Sequence, residues 1–206
     1  MIAQANAAQE NAARRQVYAE LYMGLVETGV ELLPGGGGCK EMTVRALDSG
    51  GPDTLRHHFE TIGMAKASTS AIEARRLALL QYADGVTMNR ERLVNDAKHL
   101  AHEIAKSGYA PPVPRTDIPA PGENMLATLK LGVHMMRQGE FISDHDVKVA
   151  NRVAYVLCGG AVTPGTPVGE QYLLDLEREG FLSLCGERKT QARIAFTLKR
   201  GKPLRN

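Results

Sequence analysis

The chain has 206 residues, of which 43% are hydrophobic, so it is long enough to bury one good-sized core or one and a half small domains. A net charge of +2 and the absence of tryptophan argue against a nucleic-acid partner. No stretch is apolar over about 18 consecutive residues, which excludes a membrane-spanning helix. The three cysteines are scattered and contain no CxxC pair, so we expect a reduced, cytoplasmic protein.

The N-terminal part of the chain predicts strand, turn and then helix. Residues 1–16 form a polar, alanine-rich leader that lacks the apolar segment of a secretory signal, and they stay unassigned. From about Val17 to Leu33 the residues are typical of strand and turn. A proline and four glycines follow at 34–38, and a helix is predicted after them. One carboxylate, Glu27, lies within the apolar run that precedes the glycines.

The glycines between strand and helix allow two interpretations. Backbone N–H groups at a helix start point toward negative charge, so this order of elements is a general anion site. The two named phosphate motifs do not fit, however. A Walker loop needs a glycine where Cys39 stands and Ser or Thr where Glu41 stands, and the dinucleotide motif needs its last glycine at Lys40 or Glu41. Composition alone therefore favours a tight turn with close backbone packing.

The middle of the chain is predicted to be helical up to a proline-rich segment. Ser70 and Glu73 form a capping box before a helical run. Asn89 can cap a helix that ends at Gly108 and has an apolar face formed by Leu93, Ala97, Leu100 and Ile104. Residues 111–122 hold five of the chain's ten prolines, a density that predicts an extended linker or a segment that wraps the surface.

Four further helices are predicted after the prolines. The first runs through 124–138, and the second follows Ser143 with an apolar face of Val147, Ala150, Ala154 and Leu157. The third starts near Pro167, and the last runs from about Glu187 to Arg200, with Gly201 and Pro203 as stop signals. On this last helix Lys189, Arg193 and Arg200 recur at spacings of four and seven, which predicts that they form one basic side, the basic tail. We therefore divide the chain into a core over 17–110, a proline-rich linker over 111–122 and a helical module over 123–206.

Two motifs resemble the crotonase (enoyl-CoA hydratase/isomerase) superfamily. Its signature spacing is matched by Gly24, Glu27, Gly29, Pro34, Gly37 and Gly38, and its C-terminal pattern is matched by Ala195, Phe196, Lys199, Arg200, Lys202 and Pro203. The resemblance covers about Val17 to Asn206, and this range is most similar to the C-terminal crotonase part of bacterial proteins that join 3-hydroxyacyl-CoA dehydrogenase and enoyl-CoA hydratase modules. The resemblance implies an α/β fold, mostly α here, as the C-terminal portion of a crotonase ββα-spiral unit followed by a helical tail.

The resemblance also implies a reaction and its residues. Glu27 would act with a second glutamate on the water that adds to a 2-enoyl-CoA, because hydration needs both a base and an acid. The residues expected to contact the substrate or its CoA are Pro34, Gly35, Gly37, Gly38, Lys199, Arg200 and Lys202. A CoA thioester is then the substrate, no cofactor is bound covalently, and NAD is expected only with a dehydrogenase module elsewhere. No metal site is predicted, since His99 and His102 lack a third ligand.

Several departures from the family pattern define what the chain is expected to lack. Val26 replaces the usual proline, and Glu31 replaces a usual glycine. The family's two oxyanion-hole amides and its second glutamate come from segments upstream of Glu27, which this sequence does not match. The resemblance thus implies half of a β-oxidation hydratase, inactive alone and partnered by an N-terminal half or by copies of itself. The alternative is a non-catalytic helical module that binds CoA or oligomerises.

Overall fold

The computed structural model describes residues 14–202 and 204. The elements, in chain order, are strands β1 Gln16–Tyr18 and β2 Met23–Gly24, a first 3₁₀ turn Glu27–Val30, helices α1 Gly38–Ser49 and α2 Pro52–Gly63, strand β3 Ala67–Ser68, helix α3 Ala71–Arg76, strand β4 Gly85–Thr87, a second 3₁₀ turn Arg90–Arg92, helix α4 Leu93–Lys106, strand β5 Ile118–Pro119, helices α5 Gly122–Gln138 and α6 Asp144–Leu157, strand β6 Pro167–Val168, and helices α7 Glu170–Cys185 and α8 Arg188–Arg200. The described part of the chain is therefore mostly helical with short strands.

The chain separates into two compact units. The first consists of the residues up to Gly24 together with Ala67–Val113, and the second of Leu25–Lys66 together with Pro114–Asn206. The division predicted from the sequence, at 17–110, 111–122 and 123–206, has other boundaries and stays a prediction. Residues 1–13 of the predicted leader lie outside the described residues.

The first unit holds two small strand pairs and two helices. Strands β1 and β4 pair in parallel with Val17 opposite Val86, while β2 and β3 pair antiparallel. Ser70 caps α3 by accepting a hydrogen bond from the Glu73 N–H, which is half of the predicted capping box. The Glu73 carboxylate accepts from the Thr69 N–H and not from the Ser70 N–H, so the box is shifted by one residue. The predicted apolar face of α4 is only half-buried, and no residue of this helix is fully buried.

The second unit is organised around helix α6, which packs against α1, α2, α5 and α7. Its buried face includes His145, Val149 and Val153, together with Ala154 and Leu157, which were both predicted on this face. Val147, which was predicted on this face, is only half-buried, so the observed face is rotated from the predicted one. None of the helices between residues 14 and 204 is long and apolar enough to cross a membrane.

The end of the proline-rich segment is part of the core of the second unit. Strand β5 pairs antiparallel with β6, with Ile118 opposite Val168. Ile118 and Ala120 are buried in one cluster with Val168 and Leu173. Pro167 and Val168 pair with β5, so helix α7 begins only at Glu170. The prediction that this helix starts near Pro167 was therefore wrong, because Pro167 lies in the strand before the helix.

Candidate functional site

Glu27 lies at the start of a 3₁₀ turn and not in a strand. The Gly29 N–H donates to the Val26 carbonyl at 2.9 Å, and the Leu32 N–H donates to the Glu27 carbonyl at 3.1 Å. The prediction of strand at this position was therefore wrong, because these hydrogen bonds join backbone groups that are close in sequence, as in a turn, and do not pair with another strand. The Glu27 side chain is half-buried, and its Oε2 atom is fully buried.

The residue after this turn, Glu31, is the one that stands where the crotonase signature has glycine. Glu31 follows the turn with a φ of 65°, in the left-handed region that glycine adopts most easily. A glycine at this position, which the signature has, would relieve that conformation. Glu31 is nevertheless fully buried, at 0% exposure. The left-handed backbone at this position would suit glycine, and the side chain that is present instead is a buried carboxylate.

The buried carboxylate of Glu31 contacts side chains from two helices. Arg193 Nη1 of α8 lies 2.5 Å from Glu31 Oε1, and His145 Nε2 of α6 lies 2.5 Å from Glu31 Oε2. Thr190 Oγ1 donates to the Glu31 carbonyl at 3.2 Å and lies 2.9 Å from His145 Nε2. Arg193 also lies 3.3 Å from Asp146. Burial lowers the pKa of His145, with smaller contributions from nearby cations.

The glycine loop receives a carboxylate from within the chain. Gly37, at a φ of 98°, precedes α1, and its N–H donates to Glu177 Oε1 of α7 at 2.5 Å. The Lys40 N–H donates to Glu177 Oε2 at 3.0 Å. Burial raises the pKa of Glu177 to about 7, although the backbone N–H donors of Gly37, Lys40 and Cys39 act in the opposite direction. The backbone N–H groups at this helix start thus bind an acidic group, as such helix starts do, and that group is the Glu177 carboxyl of the same chain.

Helix α7 also packs closely on the loop and the residue before it. A Cβ atom at Gly180 would lie 2.7 Å from Leu33, and a Cβ atom at Gly35 would lie 2.6 Å from the Phe181 ring. Together with Glu177 these α7 residues share one helix face, since they are three and four positions apart. Close backbone packing, one of the two interpretations of the glycines, is therefore present.

The residues predicted to contact the substrate differ in their exposure. Gly35 is exposed, whereas Pro34, Gly37 and Gly38 are buried. Lys199, Arg200 and Lys202 are exposed near the end of the described chain. Their roles toward CoA stay predictions.

Arg193 does not share the exposed basic face on which it was predicted. The sequence placed it on one side of the last helix with Lys189 and Arg200, but it is only 5% exposed and contacts Glu31. Pro203, which belongs to the C-terminal pattern, lies outside the described residues. Within residues 14–202 and 204, no three His, Cys, Asp or Glu side chains group as metal ligands.

Sequence reasoning missed Glu177 and His145. Glu177 is one of several glutamates in a helix, and no local pattern separates it from its exposed neighbour Glu179. Gly180, three residues later, is the one available signal, because a glycine within a helix often marks a close approach of another segment. For the buried cluster, the signal was Glu31 itself, an acidic residue at a position expected to be glycine.

Comparison with known proteins gives a partial match in sequence and a match in fold. No protein-family model matches the chain. A probable 3-hydroxyacyl-CoA dehydrogenase from Bacillus subtilis (strain 168) is 49% identical over 197 residues, which are 95% of this chain and 25% of that protein. The chain therefore spans about a quarter of the length of this curated relative.

Among solved structures, the chain is similar in fold to carnitinyl-CoA hydratase from Mycobacterium avium. The TM-score is 0.51 at 16% sequence identity, and the match covers 96% of this chain and 56% of that chain. At this identity the likeness concerns the fold. The mostly helical architecture with short strands is consistent with an α/β fold of the crotonase type.

Proposed function

We propose that the chain is part of a fatty-acid β-oxidation enzyme of the enoyl-CoA hydratase/isomerase type, which adds water to a 2-enoyl-CoA. The observation that carries the proposal is Glu27, the signature glutamate, held half-buried on a hydrogen-bonded turn. The name of the Bacillus subtilis relative and the fold likeness to a CoA-ester hydratase support an acyl-CoA substrate. CoA enters as the substrate thioester, and NAD would belong to a dehydrogenase module of a longer polypeptide.

The chemistry assigns Glu27 one of two carboxylate roles. Hydration needs a base that activates water and an acid that protonates the α-carbon. It also needs donors for the negative charge that develops on the thioester oxygen. We propose that the second glutamate and the oxyanion-hole amides come from another part of a longer polypeptide or from a separate subunit, which makes that segment the partner of this chain.

One observation favours the second candidate, a non-catalytic helical module that binds CoA or oligomerises. The amides of Gly37 and Lys40 are engaged by Glu177 within the chain. A ligand phosphate at the loop would have to displace a buried carboxylate. In this candidate the glycine loop serves packing alone.

Hydration of crotonyl-CoA separates the two candidates. We expect a polypeptide that contains this chain and the remaining length of its relative to turn over crotonyl-CoA. Glu27→Gln keeps the size of the side chain and removes the base, so kcat should fall about 10²- to 10⁴-fold with KM nearly unchanged. Glu20→Gln, at an exposed position, is the matched control and should keep full activity. Equal turnover of the Glu27→Gln variant and the unaltered protein would contradict the proposal.

A further inference from the structure

Glu31 combines two features that are unfavourable by themselves. Its φ of 65° is left-handed, a region in which a residue with a side chain is strained. Its carboxylate is 0% exposed, and burying a carboxylate is costly unless it is paired. Such outliers are concentrated at functional sites, where the surrounding contacts hold them in place. The contacts of this side chain therefore indicate what it does.

Those contacts join Glu31 to two helices from distant parts of the sequence. Arg193 Nη1 and His145 Nε2 each lie 2.5 Å from one of its two carboxylate oxygens. Thr190 Oγ1 donates to its backbone carbonyl at 3.2 Å. All three partners are at most 6% exposed, so water does not compete with these contacts. The end of the first 3₁₀ turn is thus fixed to α6 and α8 through both the side chain and the backbone of Glu31.

The same turn is fixed at a second point. Thr28 Oγ1 donates to the Ile62 carbonyl at the end of α2, at 2.6 Å. The Glu31 N–H donates to the Thr28 carbonyl at 3.1 Å, and the Leu32 N–H donates to the Glu27 carbonyl at 3.1 Å. Glu27 therefore begins a short turn that is tied to three helices of the same unit, by Thr28 within the turn and by Glu31 directly after it.

We infer that Glu31 is a positioning residue for Glu27, and that Arg193 and His145 act on Glu27 through it. The inference rests on the proposed hydratase function, in which Glu27 moves protons at the substrate. Such a carboxylate must be held close to its productive geometry, because a displacement of about 1 Å can reduce the rate by about 100-fold. The C-terminal helix α8 then contributes to the reaction from its buried side, through Arg193.

Glu31→Gly is the variant that isolates the carboxylate. Glycine adopts the left-handed backbone without strain, so the change removes the contacts with Arg193 and His145 and nothing that the turn needs sterically. Glu140→Gly is the matched control, since Glu140 has a φ of 59° and is exposed. Arg193→Lys is the conservative variant that keeps a cation near Glu31.

Two measurements are made on the polypeptide used to test the proposed function. In hydrogen exchange, the amides of residues 25–33 should exchange at least about tenfold faster in Glu31→Gly and at the normal rate in Glu140→Gly. In crotonyl-CoA hydration, Glu31→Gly should lower kcat about 10- to 100-fold and leave KM unchanged. Arg193→Lys, which keeps a cation near Glu31, should keep most of the kcat of the unaltered polypeptide. Unchanged exchange, or unchanged kcat, would overturn the inference.

A double variant covers the case in which Glu31→Gly does not fold, because the single change leaves the Arg193 charge buried without Glu31. Glu31→Gly with Arg193→Met removes both charges and should fold. It should still show fast exchange in the turn and a low kcat. Normal kcat in this folded double variant would mean that Glu31 only neutralises Arg193, and would overturn the inference.

A failure of the proposed function and a failure of this inference give different results. Absence of turnover in the unaltered polypeptide would overturn the proposed function and, with it, the catalytic meaning of this inference. The exchange measurement would then decide by itself whether Glu31 holds the turn.

Discussion

Replacing Glu177 by Gln should remove a pH-dependent part of the free energy of unfolding. Burial raises the pKa of Glu177 from 4.5 to about 7. The folded protein therefore binds this proton more tightly than the unfolded chain does. The contribution of Glu177 to stability is full below about pH 4.5 and is lost as the pH rises toward about 7. The change corresponds to about 3 kcal/mol, since each pKa unit is worth about 1.4 kcal/mol.

The assay is urea unfolding of the unaltered protein and of Glu177→Gln at several pH values between about 4.5 and 8. The quantity to compare is the difference in the free energy of unfolding between the two proteins. Two histidines also contribute to the pH dependence, because burial lowers the pKa of His58 and of His145. Their contributions are lost as the pH falls, which is the opposite sense. They are present in both proteins and cancel in the difference.

The difference should change by about 3 kcal/mol across this range, with the unaltered protein losing stability relative to the variant as the pH rises. Glu179→Gln, at an exposed position in the same helix, should show no such change. A difference between the unaltered protein and Glu177→Gln that is constant with pH would refute the reasoning. It would mean that the amides of the glycine loop compensate fully for the burial of the carboxylate.

Three further perturbations test other parts of the chain. Gly122→Ala should destabilise the fold, because the φ of Gly122 is 71° and an added Cβ would lie 2.5 Å from the Val162 carbonyl oxygen. Gly132→Ala in the same helix is the control: its Cβ meets nothing within 4 Å, so this change should stabilise the fold by about 0.5–1 kcal/mol. Thermal unfolding measures both effects. Ile118→Ala should cost about 2–5 kcal/mol of unfolding free energy, and Val113→Ala, at 86% exposure, about zero; equal effects would contradict the role of the proline-rich segment in the core. Arg200→Glu should weaken binding of CoA more than binding of dephospho-CoA, and added salt should reduce that difference. Calorimetric titration measures the two affinities. If the unaltered protein binds CoA and dephospho-CoA equally well, the basic tail does not recognise the 3′-phosphate.

Several helix boundaries follow from signals that lie within a few residues of each other. Ser70 accepts from the Glu73 N–H at 3.2 Å, and Ser143 with Asp146 forms a complete capping box. Gly201, with a φ of 66°, ends α8 as predicted. These features need only neighbouring residues, and the side chains and backbone groups involved are adjacent in any conformation that starts or ends a helix.

The arrangement around the candidate site depended on residues that are far apart in the chain. Glu177 and Gly37 are separated by 140 positions, and Thr190 and Glu31 by 159. Neither Glu177 nor Arg193 differs in type from its exposed neighbours, so no local pattern marks either residue as buried. The rotated buried face of α6 has the same origin, because the packing of α1, α2, α5 and α7 around it decides which residues are covered.

By itself, the sequence determined most of the helical segments and the helix caps at Ser70 and Ser143, because each depends on short-range geometry. Glu27 as the signature carboxylate stays a prediction that rests on the order of residue types. The tertiary structure decided that the glycine loop holds Glu177, that Arg193 is buried against Glu31, and that Glu27 lies on a turn tied to three helices. The physical reason is burial. A carboxylate or guanidinium becomes structural only when packing removes it from water and brings a partner to it, and that partner is chosen by the fold.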